Sequence, residues 1–118
     1  NADLYTDKGY MALTNGKTGT ATYEYTIPSN GNYSIYTRFT PYSDRTANAT
    51  YKVYVNNTLK KTVSIDQSNM NHRGDNVFLV GYNYVSSGMK FKIVVSNGSG
   101  SDALISDAKY TVWVYENP

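Results

Sequence analysis

Tyr36 and Arg38 stand two residues apart in an alternating run, and Tyr42, Arg45 and Asn48 follow in the polar stretch beyond it. Near the end of the chain Trp113 and Tyr115 repeat the same spacing. Residues at i and i+2 of a strand share a face, so each pair projects together, away from the apolar parity between its members. Aromatic rings stack on the C–H faces of sugars, while guanidinium and amide groups donate to hydroxyls, so this set has the chemistry of a glycan site. The competing reading is that outward tyrosines only make cross-strand pairs, worth about 0.2–1 kcal/mol each.

Catalytic chemistry has less support. A hydrolase needs a nucleophile with a base, or two carboxylates in different environments, on rigid supports. The acidic residues fall mostly at turns, where Asp favours bonds to its own backbone, and no pair of them stands out. His72 is the only histidine and lies in the polar loop Asp66 to Asn76, where it reads as a solvated residue. Asp107 differs because it lies mid-strand. A buried carboxylate there must be paired to offset its desolvation, by loop backbone or by Arg38 or Arg45. The chain is read as non-enzymatic and without a cofactor. Arg73-Gly74-Asp75 and the Asn-x-Ser/Thr tripeptides are short matches that chance explains.

The elements that must carry these residues are strands. From Thr20 to Ile27 the apolar parity holds Ala21, Tyr23, Tyr25 and Ile27, and from Tyr33 to Phe39 it holds Tyr33, Ile35, Thr37 and Phe39. Pro28-Ser29-Asn30-Gly31 turns the chain between them, which predicts a hairpin with one tyrosine-rich apolar face. Ala49, Tyr51, Val53 and Val55 continue the alternation, and Asn56-Asn57-Thr58 turns into Val63 and Ile65, a second hairpin. Val77-Phe78-Leu79-Val80 is an unbroken apolar run and predicts a buried strand. Phe91, Ile93 and Val95 alternate with Lys90, Lys92 and Val94, and the last strand region, Ala103 to Tyr115, carries Leu104, Ala108, Tyr110, Val112 and Val114 on one parity and Ile105, Asp107, Lys109, Trp113 and Tyr115 on the other. About eight strands with no helical period predict an all-β, antiparallel, jelly-roll-like sandwich.

At 118 residues the chain is long enough for one core. A net charge of +2 with scattered basic residues is no nucleic-acid footprint. Cysteine is absent, which excludes disulfides and thiolate metal sites. No run of about 18 apolar residues predicts a membrane span, and the opening NADLYTDKGY has no signal-peptide core. Thirteen tyrosines in a chain that is only 17% charged suit an extracellular β-domain.

The run A-x-Y-x-Y-x-I-P-S-N-G-x-Y-x-I-Y-x-R-F, from Ala21 to Phe39, resembles the golvesin C-terminal-like domain. Arg45-Thr46-Ala47-Asn48, Ala49 to Val53, Ile65-Asp66-Gln67, Leu79-Val80-Gly81 and Ser106-Asp107-Ala108 follow in that family's order, so the resemblance covers Gly19 to Val112. It departs at Val77, where the family often has tryptophan. The resemblance implies a β-sandwich module of the kind attached to xanthan lyases and other secreted polysaccharide-active enzymes. In jelly-roll carbohydrate modules an aspartate near the last strand sometimes holds a structural Ca²⁺, which makes Asp107 the metal candidate. Calcium needs about six to eight oxygen ligands, and no carboxylate-rich partner segment accompanies Asp107.

Residues 1–118 are therefore expected to be one module of a larger secreted or cell-surface bacterial protein. The expected role is non-catalytic carbohydrate binding that holds a catalytic domain of the same chain at a polysaccharide. Tyr36, Arg38, Tyr42, Arg45, Asn48, Trp113 and Tyr115 are the expected contacts. The alternative is a structural spacer or protein-interaction domain.

Overall fold

The computed structural model describes residues 3–5, 20–38, 48–69, 71, 77–96 and 112–118. Among them are eight strands: β1 (Asp3–Tyr5), β2 (Thr20–Thr26), β3 (Gly31–Thr37), β4 (Ala49–Val55), β5 (Thr58–Ile65), β6 (Val77–Val85), β7 (Lys90–Ser96) and β8 (Val112–Glu116). They form two antiparallel sheets of four strands, ordered β1-β8-β3-β6 and β2-β7-β4-β5. β1 pairs with β8, β2 with β7, β3 with β6 and β4 with β5, and successive pairs fall in alternate sheets. The chain is thus one long antiparallel ribbon, doubled back at β4–β5 and rolled into a sandwich, which is a jelly roll.

The doubling-back point is the hairpin expected at Asn56-Asn57. Both residues have positive φ, 48° and 67°, the combination of a type I′ turn, and asparagine tolerates it. Lys90 N–H donates to Asn56 Oδ1 at 2.9 Å, and Asn56 N–H donates to Lys90 C=O at 2.9 Å, tying this turn to the start of β7.

The first expected hairpin is not one. β2 lies in the second sheet and β3 in the first, so Ile27 to Asn30 is an arch that carries the chain across the sandwich. The β6–β7 connection is a second arch alongside it. Gly88 N–H donates to Ile27 C=O at 2.8 Å, Ile27 N–H to Met89 C=O at 2.8 Å, and Ser87 N–H to Asn30 Oδ1 at 2.8 Å. Alternation states which residues face the core, and it is the same whether two strands lie side by side or face to face. The adjoining arch, far away in sequence, selects between them.

The inward parities are buried as the alternation predicts: Tyr23, Tyr25, Ile27, Tyr33, Ile35, Thr37, Ala49, Tyr51, Val53, Val55, Phe91, Ile93, Val95, Val112 and Val114. Phe39 lies outside the described residues. A core rich in tyrosine must place hydroxyls as well as rings. Tyr25 Oη donates to Val112 C=O at 2.6 Å, joining the two sheets, and Tyr33 Oη donates to Ser29 C=O at 2.6 Å in the arch. Tyr51 Oη accepts from Gln67 Nε2 at 2.9 Å and from Thr37 Oγ1 at 3.2 Å. Gln67, fully buried, is held just past β5, where Ser68 N–H donates to Asp66 Oδ1 at 2.8 Å. Asp66 therefore does the local turn work expected of the acidic residues.

Removing the Tyr51 hydroxyl takes away a buried acceptor used by both Gln67 Nε2 and Thr37 Oγ1, so Tyr51→Phe is expected to cost about 1–3 kcal/mol in denaturant melts. Tyr23 supplies the contrast, since its hydroxyl is buried with no hydrogen-bond partner among the described residues. Tyr23→Phe should be neutral or slightly stabilising, because it removes a desolvated group that gains nothing in return. Equal losses in the two variants would contradict this network.

Burial also pushes the Tyr51 hydroxyl above its ordinary pKa of 10.0, against the weaker opposing pull of the bonds from Thr37 and Gln67. The folded value is raised, so the neutral form's contribution is complete below the unfolded pKa and is lost as pH rises through the folded one. Stability should be flat through neutrality and fall at alkaline pH, and Tyr51→Phe should flatten part of that fall.

Candidate ligand-binding face

Each sheet has one face on the core and one on solvent, and the two outer faces differ in chemistry. On the second sheet, Lys92 stands in register with Glu24 of β2 and Tyr54 of β4. Its ammonium lies 4.7 Å from the Tyr54 ring centroid. Lys52 and Thr62 pair nearby. This is a charged, self-paired surface.

On the first sheet, the outer face carries a row of rings across three strands. Tyr36 of β3 is in register with Phe78 of β6 on one side and Trp113 of β8 on the other. Directly opposed residues of an antiparallel pair project to the same face. The Tyr36 and Phe78 rings meet edge to face at 5.6 Å and 73°. Arg38, exposed just past the end of β3, lies with its guanidinium carbon 5.4 Å from the Trp113 ring centroid, a cation–π contact. Neighbouring strands are about 4.8 Å apart, so the outer rings of the row stand about 10 Å apart. That length suits a short oligosaccharide better than a single ring. β1 pairs with β8 at the edge of this sheet, its Tyr5 position in register with Trp113.

Tyr115 occupies the same face one outward step along β8, opposite Ser34. Ser34 in turn exchanges hydrogen bonds with the Asn117 side chain at 3.0 and 3.2 Å. Of the residues expected from sequence, Tyr36, Arg38, Trp113 and Tyr115 are therefore brought together. Asn48 is exposed but heads β4 in the opposite sheet, outside the row. Tyr42, Arg45 and Asp107 lie outside the described residues, as do His72 and Arg73-Gly74-Asp75. Among the described residues no group of three His, Asp or Glu side chains is placed to hold a metal ion. None of their helices is long and apolar enough to cross a membrane.

Phe78 is the contact that sequence reasoning missed. Its apolar run predicts burial on both faces, yet Phe78 is 54% exposed while Leu79 beside it is 2% exposed. The first sheet is covered on one face only, and Val77, Leu79 and Val80 meet the core while Phe78 turns outward, beside a slip in the β3–β6 register. A ring on the parity opposite Leu79 was the available signal.

A family model, the golvesin C-terminal domain, matches residues 1–111. The chain belongs to the golvesin C-terminal domain family. The match takes in the N-terminal residues as well as the segment from Gly19 on which the resemblance rests. No curated protein matches this golvesin C-terminal domain. Among solved structures it is similar to a family 35 carbohydrate-binding module from Clostridium thermocellum, with a TM-score of 0.56 and 15% identity over 99% of this chain and 100% of that one. A family 35 module from an environmental isolate gives a TM-score of 0.54 and 18% identity, over 96% and 80% of the two chains. A Paenibacillus cycloisomaltooligosaccharide glucanotransferase, solved with cycloisomaltoheptaose, gives 0.54 and 16% identity. The domain covers 18% of that enzyme's length, with 93% of its own residues aligned. At these identities the likeness is one of fold, and it agrees with the two-sheet architecture described above.

Proposed function

We propose that this golvesin C-terminal domain is a non-catalytic glycan-binding module of a larger secreted or cell-surface protein. In this reading it keeps an attached catalytic domain close to a polysaccharide. The observation that carries the proposal is the row Phe78–Tyr36–Trp113 with Arg38 over its end. Phe78 is exposed and Tyr36 and Trp113 are half-buried, so apolar ring surface stays open on this sheet face, and a sugar lying along the row would bury what remains of it. Tyr36 is held by its edge contact with Phe78, so its orientation is set before any ligand arrives. Arg38, positioned over the indole, offers N–H donors in a planar fork to ring hydroxyls at the end of the row. Two of the solved structures that share this fold are themselves carbohydrate-binding modules, and the third is part of an enzyme complexed with a cyclic oligosaccharide.

The direct test is native affinity electrophoresis of the domain through gels containing soluble glucans, xylans, galactans and xanthan. Retardation by at least one, reversed by the free oligosaccharide, is the expected result. Unaltered mobility in all of them would favour a structural spacer or protein-interaction role instead.

A further inference from the structure

At the arch end of β6 the ladder slips. Tyr82 pairs with Tyr33 and Val85 with Gly31, so Asn83 and Tyr84 together face the single residue Asn32. Such a bulge re-aims a side chain, and here it turns Tyr84 out of the alternation to 93% exposure while Val85 stays buried. Tyr84 has a φ of 59°, in the left-handed region that glycine occupies freely and a bulky residue does not. Its N–H donates to Asn32 Oδ1 at 2.9 Å, which holds the backbone in place. The fold thus keeps an aromatic ring almost wholly in water at a position glycine would fill with less strain. Strain retained in this way concentrates at sites that bind something.

The surroundings fit a ligand. Tyr84 walls two depressions, one of about 340 Å³ lined by Asn30, Asn32 and Ser86, the other of about 250 Å³ lined by Lys60, Asn83 and Met89. The carbonyl oxygens of Asn30 and Asn32 are already committed to the backbone N–H groups of Ser87 and Tyr84. This fixes the amides' orientation and leaves their N–H donors for other partners. Neither depression is lined by a carboxylate. We propose that this arch end is a second ligand site, separate from the aromatic row. There the Tyr84 ring stacks on the C–H face of a neutral pyranose in the larger depression while Asn30 and Asn32 donate to its hydroxyls. Tyr84 lies six positions along β6 from Phe78, at most about 20 Å, so the two sites have separate linings.

The test is ¹H–¹⁵N NMR of the whole chain titrated with methyl β-D-glucopyranoside, methyl β-D-xylopyranoside and methyl α-D-mannopyranoside. At least one sugar should shift the amides of Asn30, Asn32, Asn83, Tyr84 and Ser86. In Tyr84→Gly the affinity read from those shifts should fall about tenfold or more, while the Tm holds or rises because glycine relieves the strain. Tyr84→Asn, which also tolerates positive φ, should lose binding in the same way, and it decides the matter if the glycine variant is less stable. The proposal is overturned if no sugar moves these amides, or if both variants bind as the parent does. Amides around Phe78, Tyr36 and Trp113 report the other face, so failure of one site is read separately from failure of the other.

Discussion

Phe91→Ala should lower stability by roughly 3–5 kcal/mol, the cost of truncating a fully enclosed aromatic side chain. Phe91 has no exposed surface and stands on β7, which pairs with both β2 and β4. It also reaches the facing sheet. Its ring meets Tyr33 of β3 edge to face at 6.2 Å and Tyr82 of β6 at 5.7 Å. Deleting it therefore removes contacts from both layers, and strands hydrogen-bonded on both sides cannot move in to fill the void. Urea melts followed by intrinsic tyrosine and tryptophan fluorescence would measure the loss. A change under about 1 kcal/mol is the size expected of a surface substitution, and it would mean that Phe91 is not where the two sheets meet. Any loss of glycan binding in this variant should follow the unfolded fraction and nothing else.

Tyr36→Ala should do the reverse, weakening glycan binding roughly tenfold to a hundredfold while costing no more than about 1 kcal/mol of stability. Tyr36 is the middle ring of the row, so its removal leaves Phe78 and Trp113 as separate platforms about 10 Å apart. Its contribution to folding is limited to pairs with its two strand neighbours, because the core side of β3 is filled by Tyr33, Ile35 and Thr37. Phe78→Ala should also weaken binding and disturb stability still less, since more than half of the ring is already exposed. Isothermal titration with the oligosaccharide that releases the domain from its gel, alongside a thermal melt, separates the two effects. If Tyr36→Ala destabilises the domain as severely as Phe91→Ala, the row belongs to the scaffold and the binding proposal fails. If binding survives in Tyr36→Ala, the glycan is held elsewhere on the domain.

Much of this molecule can be read from alternation alone. The inward sets Tyr23-Tyr25-Ile27, Tyr33-Ile35-Thr37, Tyr51-Val53-Val55 and Phe91-Ile93-Val95 are all buried, because the two-residue period of a strand leaves a side chain only two directions to take. The same rule puts Tyr36 outward on β3, with Arg38 just past its end, and Trp113 and Tyr115 outward on β8. The Asn56-Asn57 turn was equally legible, since the residues that accept positive φ are few. Phe78 was not, because an apolar run does not disclose that only one face of its sheet is covered. Tyr84 was not either. Its exposure comes from a bulge opposite Asn32, and a bulge is a fault in register between segments far apart in sequence.

By itself, then, the sequence determined that this chain is a β-sandwich, which alternating residues enter its core, where its tightest hairpin turns and that Tyr36, Trp113 and Tyr115 point away from that core. These follow from local φ/ψ preference and from the strand period, properties of a few neighbouring residues. Only the tertiary structure decided that β2 and β3 lie in opposite sheets instead of pairing, and that Tyr36 stands between Phe78 and Trp113. It alone placed Arg38 over the indole and turned Tyr84 out at the arch. Each of these depends on which strands share hydrogen bonds, and that choice is made by the collective closure of two sheets around one core, where every pairing limits the others.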